Sequence, residues 1–313
     1  LAKAFDARPE RPVRVPNRSI MPRVPVRIDA VMLEARAAEL AKRSFKDAAK
    51  DAALELIVAC MDLTTLEGKD TPGKVRQICA RGISPAPGMP SVAAICVYPN
   101  LVAIAREALR GSRVHLASVA TAFPSGLSPL DIKLREVRAA CDAGADEIDM
   151  VIDRNAFLCG DDATVLNEIV AVKAACEGKA QLKVILEVGE LGSYAAIRRA
   201  CDLALAGGAD FLKTSTGKIG ISSTPAIALA MCEAIGEHHR RTGARVGLKL
   251  AGGIRTAKQA FGYIAIVHET LGATWLRPEL FRIGASSLLD DVLLQQLKRD
   301  SGNYAAAAYV ATA

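Results

Sequence analysis

Aromatic side chains are scarce in these 313 residues: one Trp, five Tyr and seven Phe. No basic stretch is interleaved with them, which excludes a stacking platform for nucleic acid. Histidine is rarer still, at four: His115, His238, His239 and His268. His238 and His239 are adjacent, so on a helix they diverge by about 100° and cannot share a ligand face. No His-x-x-x-His pair and no Cys/His cluster occurs, so neither a metal nor a cofactor is expected. The eight cysteines (Cys60, Cys79, Cys96, Cys141, Cys159, Cys176, Cys201, Cys232) contain no Cys-x-x-Cys pair. They fall singly in apolar segments, where a free thiol acts as a small hydrophobe. That pattern predicts a reduced, cytoplasmic chain and excludes a disulfide framework. No apolar run approaches the length of a bilayer-spanning helix, and no apolar core follows the first basic residues. Neither a membrane partner nor a secretory leader is expected.

Charge is present but unevenly placed. Residues 1–30 hold seven basic side chains (Lys3, Arg8, Arg11, Arg14, Arg18, Arg23, Arg27) against three acids, so +4 of the formal +6 lies there. The nearly neutral remainder argues against a nucleic-acid partner. Five prolines (Pro9, Pro12, Pro16, Pro22, Pro25) oppose a helix in this stretch, and residues 1–28 read as an irregular tail. Residues 29–297 read as a single domain, and 298–313 as a C-terminal tail.

With 51% hydrophobic residues the chain can bury one full core. Residues 29–55 predict a helix, with Val31, Leu33, Leu40, and further on Leu54 and Ile57, on one broad apolar face. From Leu56, short apolar runs alternate with amphipathic stretches, the pattern of βα units. Strands are predicted at 58–64, 92–98, 115–121, 146–152, 182–188, 210–215, 245–250 and 280–285. Helix starts are marked by Thr71-Pro72, Ser128-Pro129, Asp161-Asp162, Thr224-Pro225 and Thr256. Gly144 and Gly207-Gly208 mark helix ends. Strands this apolar on both faces suit a buried parallel sheet. Eight units in about 240 residues predict an α/β fold, a (β/α)8 TIM barrel with an extra N-terminal helix. An open doubly wound sheet would want Gly-x-Gly-x-x-Gly after the first strand, and residues 62–70 (DLTTLEGKD) lack it.

In such a barrel the site gathers at the C-terminal ends of the strands. The polar residues within or just beyond the predicted strands are Asp62, Thr64, Cys96, Asp149, Glu187, Lys213, Lys249, Ser286 and Ser287. A lysine buried in a strand is costly unless paired or functional. Lys213 and Lys249 fall on neighbouring strands. If they approach one another, partial burial and like charge both lower their proton affinity. A neutral amine is what imine chemistry requires. Alternation along Glu147–Val151 turns Asp149 into the barrel, opposite in sense to Ile148 and Met150, where it offsets the two lysines. Glu147 is expected near the solvated start of its strand. The plainer readings are rim lysines whose heads reach water, and a buried ion pair without chemistry.

Gly252-Gly253 follows strand seven, and Gly284-Ala285-Ser286-Ser287 follows strand eight. Glycine-backed amides and hydroxyls at the start of the last helix make a phosphate site at this face of a barrel. Gly217 and Lys218 add an amide and a cation after strand six. Plain capping and tight turns are the competing reading.

In chain order, Met61-Asp62-Leu63-Thr64, Cys96-Val97-Tyr98-Pro99, Glu147-Ile148-Asp149-Met150-Val151, Gly189-Glu190-Leu191, Lys213-Thr214-Ser215-Thr216-Gly217-Lys218, Ala251-Gly252-Gly253-Ile254-Arg255 and Phe281-Arg282-Ile283-Gly284-Ala285-Ser286-Ser287 span most of the chain. Together they resemble the DeoC family, class I deoxyribose-phosphate aldolases. The resemblance implies a metal-free lyase that reversibly cleaves 2-deoxy-D-ribose 5-phosphate to D-glyceraldehyde 3-phosphate and acetaldehyde, in deoxyribose catabolism. Matched motif by motif, it implies Lys213 as the imine-forming residue and Asp149 with Lys249 as a proton relay. It implies phosphate binding by Gly217, Lys218, Gly252, Gly253, Gly284, Ser286 and Ser287. Asp62 and Thr216 would touch substrate hydroxyls or the lysine network. Leu250 stands where the family commonly has Pro, and Val188 where it often has Thr; neither removes a named group. A C-terminal tyrosine can reach the substrate in this family; Tyr304 and Tyr309 both qualify and neither is assigned. The expected partner is a small phosphosugar, and assembly into a homo-oligomer stays open. Two alternatives remain: a different imine-forming barrel aldolase, and a barrel that binds phosphosugars without turnover.

Overall fold

A computed structural model describes residues 27–176, 178–220 and 223–303. Most of the expected N-terminal tail, Tyr304 and Tyr309 lie outside the described residues. Strands β1 Met61–Thr64, β2 Ala94–Val97, β3 His115–Ala120, β4 Glu147–Val151, β5 Gln181–Ile185, β6 Phe211–Lys213, β7 Gly247–Ala251 and β8 Phe281–Ala285 pair in parallel, in chain order. β8 closes on β1, so the sheet is a barrel and the open-sheet alternative falls. All eight expected strands form. β5 ends early because Glu187 adopts a left-handed conformation, φ 55°.

The helices are α1 Ala30–Ala41, α2 Asp47–Ala59, α3 Pro72–Ile83, α4 Val102–Ala108, α5 Leu130–Asp142, α6 Arg154–Leu158, α7 Asp162–Cys176, α8 Tyr194–Ala206, α9 Pro225–Thr242, α10 Ala257–Leu271 and α11 Leu288–Ser301. The single N-terminal helix expected over 29–55 is therefore two. No Gly or Pro in 42–46 announces the break. Tertiary packing makes it: α1 lies on α9 and α10, α2 lies on α10 and α11, and between them Phe45 turns in to meet Phe261 with ring centroids 5.3 Å apart. Val31, expected on the apolar face, is 77% exposed; Leu33, Ala37 and Leu40 form that face instead.

Thr71, Thr224 and Thr256 cap their helices as expected, each accepting a backbone N–H three residues on, and Asp161 accepts from Thr164 N. Ser128 does not cap. α5 starts behind Pro129 with no side-chain bond.

The main core is the shell between strands and helices, where outward residues such as Ile95, Leu116, Ile148, Met150, Leu212, Leu248 and Ile283 are wholly buried. Each contributes about 1.5–3 kcal/mol of apolar burial, the stabilisation that offsets an interior of a different kind.

Candidate active site

Side chains in a closed βα barrel fill its interior in layers of four drawn from alternate strands. Alternation along each strand sorts the inward residues here, and the ion pairs between them agree. Nearest the N-terminal mouth lie Ala94, Glu147, Phe211 and Arg282. Above them lie Asp62, Ala117, Lys183 and Lys249, then Cys96, Asp149, Lys213 and Gly284. Such interiors are ordinarily branched and apolar. This one holds seven acidic or basic side chains, all buried.

They form one connected network. Lys213 Nζ and Lys249 Nζ each lie 2.7 Å from the same oxygen, Asp149 Oδ2, and the two lysines are direct register partners on β6 and β7. Lys249 also lies 2.6 Å from Asp62 Oδ2. Lys183 contacts Asp149 Oδ1 at 3.0 Å and Asp62 Oδ2 at 3.3 Å, and donates a short bond to Glu147. Arg282 joins Asp62 at 2.6 Å and Glu147 at 2.7 Å. Four cations thus face three carboxylates, and Lys213 alone among the four touches a single acid.

That difference decides where a proton is held least tightly. Burial pushes all the lysines toward the neutral form. For Lys249 and Lys183, nearby carboxylates outweigh burial and proton affinity rises. For Lys213, burial wins: Asp149 opposes it, Lys249 reinforces it, and the amine is lowered from its ordinary value. The acids behave as their partners dictate. Burial alone would raise Asp149 and Asp62, but the lysines around both, and Arg282 beside Asp62, hold them well below the usual carboxylate range. Glu147 is held at about 2 against its burial by Lys183, Arg282 and His115.

Above the top layer a cleft of about 200 Å³ opens at the C-terminal ends of the strands. Lys213 and Lys249 form its floor, and Thr216, Gly217, Lys218, Gly252, Gly253, Gly284, Ser286 and Ser287 line it, so the structure brings these candidate residues together around one opening. Asp149 and Asp62 lie beneath, so Asp62 belongs to the lysine network and not to the cleft wall. Gly252 and Gly253 both sit at positive φ, 87° and 80°, which a side chain would strain. Ser287 occupies the N-cap of α11, but its side chain makes no capping bond. The N-terminus of a 14-residue helix thus meets the cleft without a side-chain cap, as suits an anion. Glu187, expected at a strand end without a role, holds the loop after β6: it accepts bonds from Thr216 N at 3.1 Å and Thr216 Oγ1 at 2.5 Å.

Two members of the network escaped the sequence reading, Lys183 and Arg282, and one was misplaced. Glu147 is not near solvent; it is wholly buried. The signal was there. Lys183 and Arg282 are charged residues within short apolar strands, the criterion that singled out Lys213. Among the described residues no group of three or more His, Cys, Asp or Glu is arranged to hold a metal ion.

Fold and cleft define a TIM-barrel enzyme whose site is centred on lysine amines. Comparison with known proteins narrows the class. The profile of the DeoC/LacD family aldolases matches residues 38–292. Deoxyribose-phosphate aldolase of Mus musculus is 43% identical over 85% of this chain and 87% of its own length; that of Homo sapiens is 41% identical over the same shares. The tetrameric deoxyribose phosphate aldolase of Aeropyrum pernix superposes with a TM-score of 0.62 at 25% identity, covering 80% of this chain and 93% of its own. The chain belongs to the DeoC/LacD family of aldolases, and is a carbon–carbon lyase.

Proposed function

We propose that the chain is a class I aldolase that cleaves 2-deoxy-D-ribose 5-phosphate to D-glyceraldehyde 3-phosphate and acetaldehyde, in the cytoplasm, as a step of deoxyribose catabolism. The observation that carries this reading is Lys213: alone among the four interior cations its proton affinity is lowered, and it opens on the cleft. The neutral amine attacks C1 of the open-chain aldehyde, and loss of water leaves a cationic imine. The imine draws the electrons of the C2–C3 bond. C3 becomes the carbonyl carbon of glyceraldehyde 3-phosphate as its hydroxyl proton departs. The two-carbon enamine left on Lys213 is protonated, and water hydrolyses the resulting imine to release acetaldehyde. Proton transfers run through water oriented by Asp149 and the charged Lys249. The phosphate rests against the amides of Gly252, Gly253 and the α11 N-terminus, with Gly284, Ser286, Ser287, Gly217 and Lys218 around it. Asp62 keeps Lys249 charged and in place, and Thr216 fixes the loop that carries Gly217 and Lys218.

The test is an assay coupled to glyceraldehyde 3-phosphate release, with borohydride trapping alongside. Wild type should turn over and yield an adduct on Lys213; Lys213→Ala should lose both, turnover falling by at least about 10³-fold. An adduct that persists in the Ala variant would overturn the assignment.

A further inference from the structure

The ion-pair network does not end at the lysines. It runs the length of the barrel and surfaces at the opposite mouth, on His115. This residue opens β3, its side chain is half exposed at 51%, and its Nδ1 lies 3.1 Å from Glu147 Oε1. From there the contacts are continuous: Glu147 to Lys183, Lys183 to Asp149 at 3.0 Å, and Asp149 to Lys213 at 2.7 Å. Glu147 also holds Arg282, which reaches Asp62 and so the underside of Lys249. No aliphatic layer separates the solvent at one mouth from the cleft at the other.

The groups facing His115 leave Glu147 as its partner. Asp146, beside it, is spent on Leu116 N at 2.8 Å and on Arg106 of α4 at 2.6 Å. Arg282 of β8 faces it from across Glu147, and Lys183 of β5 takes Glu147's other oxygen. The bond to Glu147 raises the imidazole's proton affinity above its ordinary value; burial and Arg282 oppose this, and Asp146 adds to it. The imidazole therefore holds its proton more readily than a free histidine does, and its charge stands at the solvent-facing end of a chain whose inner members, Glu147, Lys183 and Asp149, are wholly buried.

We propose that His115 is a positioning residue for the cleft amine: its charge, delivered through Glu147 and the interior ion pairs, sets how readily Lys213 gives up its proton. The inference rests on Lys213 as the reacting amine. Protonated His115 adds a fifth cation to a network already one cation in excess, which favours neutral Lys213. Neutral His115 withdraws that push, and Lys213 holds its proton more tightly. The barrel thus reads pH at one mouth and answers at the other.

Two experiments test it. His115→Gln keeps a hydrogen-bonding group but has no charge; His115→Arg is charged at every pH. Below the His115 midpoint, kcat/KM of the Gln variant should fall about threefold under wild type, the effect of one charge several contacts away in a protein interior. Above the midpoint the two should coincide, and the Arg variant should follow wild type on the acid side. A loss in the Gln variant that is the same at every pH, or no loss, overturns the proposal; a structural role produces the uniform loss. The second experiment needs no turnover. Coupling between two sites is reciprocal, so the imidazole of His115, followed by NMR, should titrate roughly half a pH unit lower in Lys213→Arg than in Lys213→Met. Equal midpoints refute the link. A shifted midpoint in a protein that fails to cleave the deoxyribose ester would leave the link standing and remove the substrate instead.

Discussion

Two buried regions of this protein hold lysine–carboxylate pairs, and they are built to opposite ends. In the helical shell, Lys133 of α5 donates to both oxygens of Glu168 on α7, each at 2.9 Å. Inside the barrel, Lys183, Lys213, Lys249 and Arg282 share Asp62, Glu147 and Asp149. The shell pair is one cation on one acid and balances itself. The interior set has a cation in excess, meets the cleft at Lys213 and Lys249, and meets solvent at His115. A buried lysine is therefore not by itself a sign of chemistry. What marks a reactive one is an unequal count of charges around it and an opening through which a substrate can reach it.

The contrast can be broken by removing one member from each region. Lys249→Leu strikes the interior. It takes away the cation that crowds Lys213 and helps orient water, so kcat/KM should fall about 10²-fold or more. Lys213, then the only cleft cation on Asp149 Oδ2, should need a higher pH to lose its proton. Wild-type rates measured across pH would erase the distinction. Lys133→Met strikes the shell. It leaves Glu168 buried without its partner, an acid whose proton affinity burial already raises against the pull of Lys133. Urea denaturation should show a loss of about 2–4 kcal/mol, while kcat per folded molecule stays unchanged; a fall in kcat would mean that the shell pair also serves the chemistry. The smallest effect belongs to the cleft wall. Ser287→Ala removes a hydroxyl that caps nothing in its own helix. KM for the phosphorylated sugar should rise about threefold, with no change for unphosphorylated deoxyribose. An equal rise for both sugars would take Ser287 away from the phosphate.

How much of this was visible in the chain follows from the physics of each feature. The eight strands and the inward turn of Asp149, Lys213 and Lys249 follow from local alternation, which a sequence displays directly. The glycine and serine loops were legible for the same reason, since conformational demands at Gly252 and Gly253 are local. Depth in the barrel was not legible. Asp62 and Thr64 both point inward from β1, yet Asp62 lies under Lys249 while Thr64 reaches the cleft. Which residues of the other strands share a level with each of them is set by the shear of the closed sheet, a property of all eight strands together. Glu147 was placed near solvent because it opens its strand; the partners that keep it buried, Lys183 and Arg282, come from strands 36 and 135 residues away. The break between α1 and α2 likewise depends on Phe261, across the fold from Phe45.

The claim on which the account rests is that burial and Lys249 hold Lys213 neutral more readily than an ordinary lysine. The most direct measurement is the rate of reductive trapping of acetaldehyde on the intact protein as a function of pH, with the modified lysine located by mass spectrometry. The account predicts an adduct on Lys213 whose formation follows a midpoint clearly below the 10.5 of a free lysine. A midpoint at or above that value, or an adduct on Lys249, would contradict it.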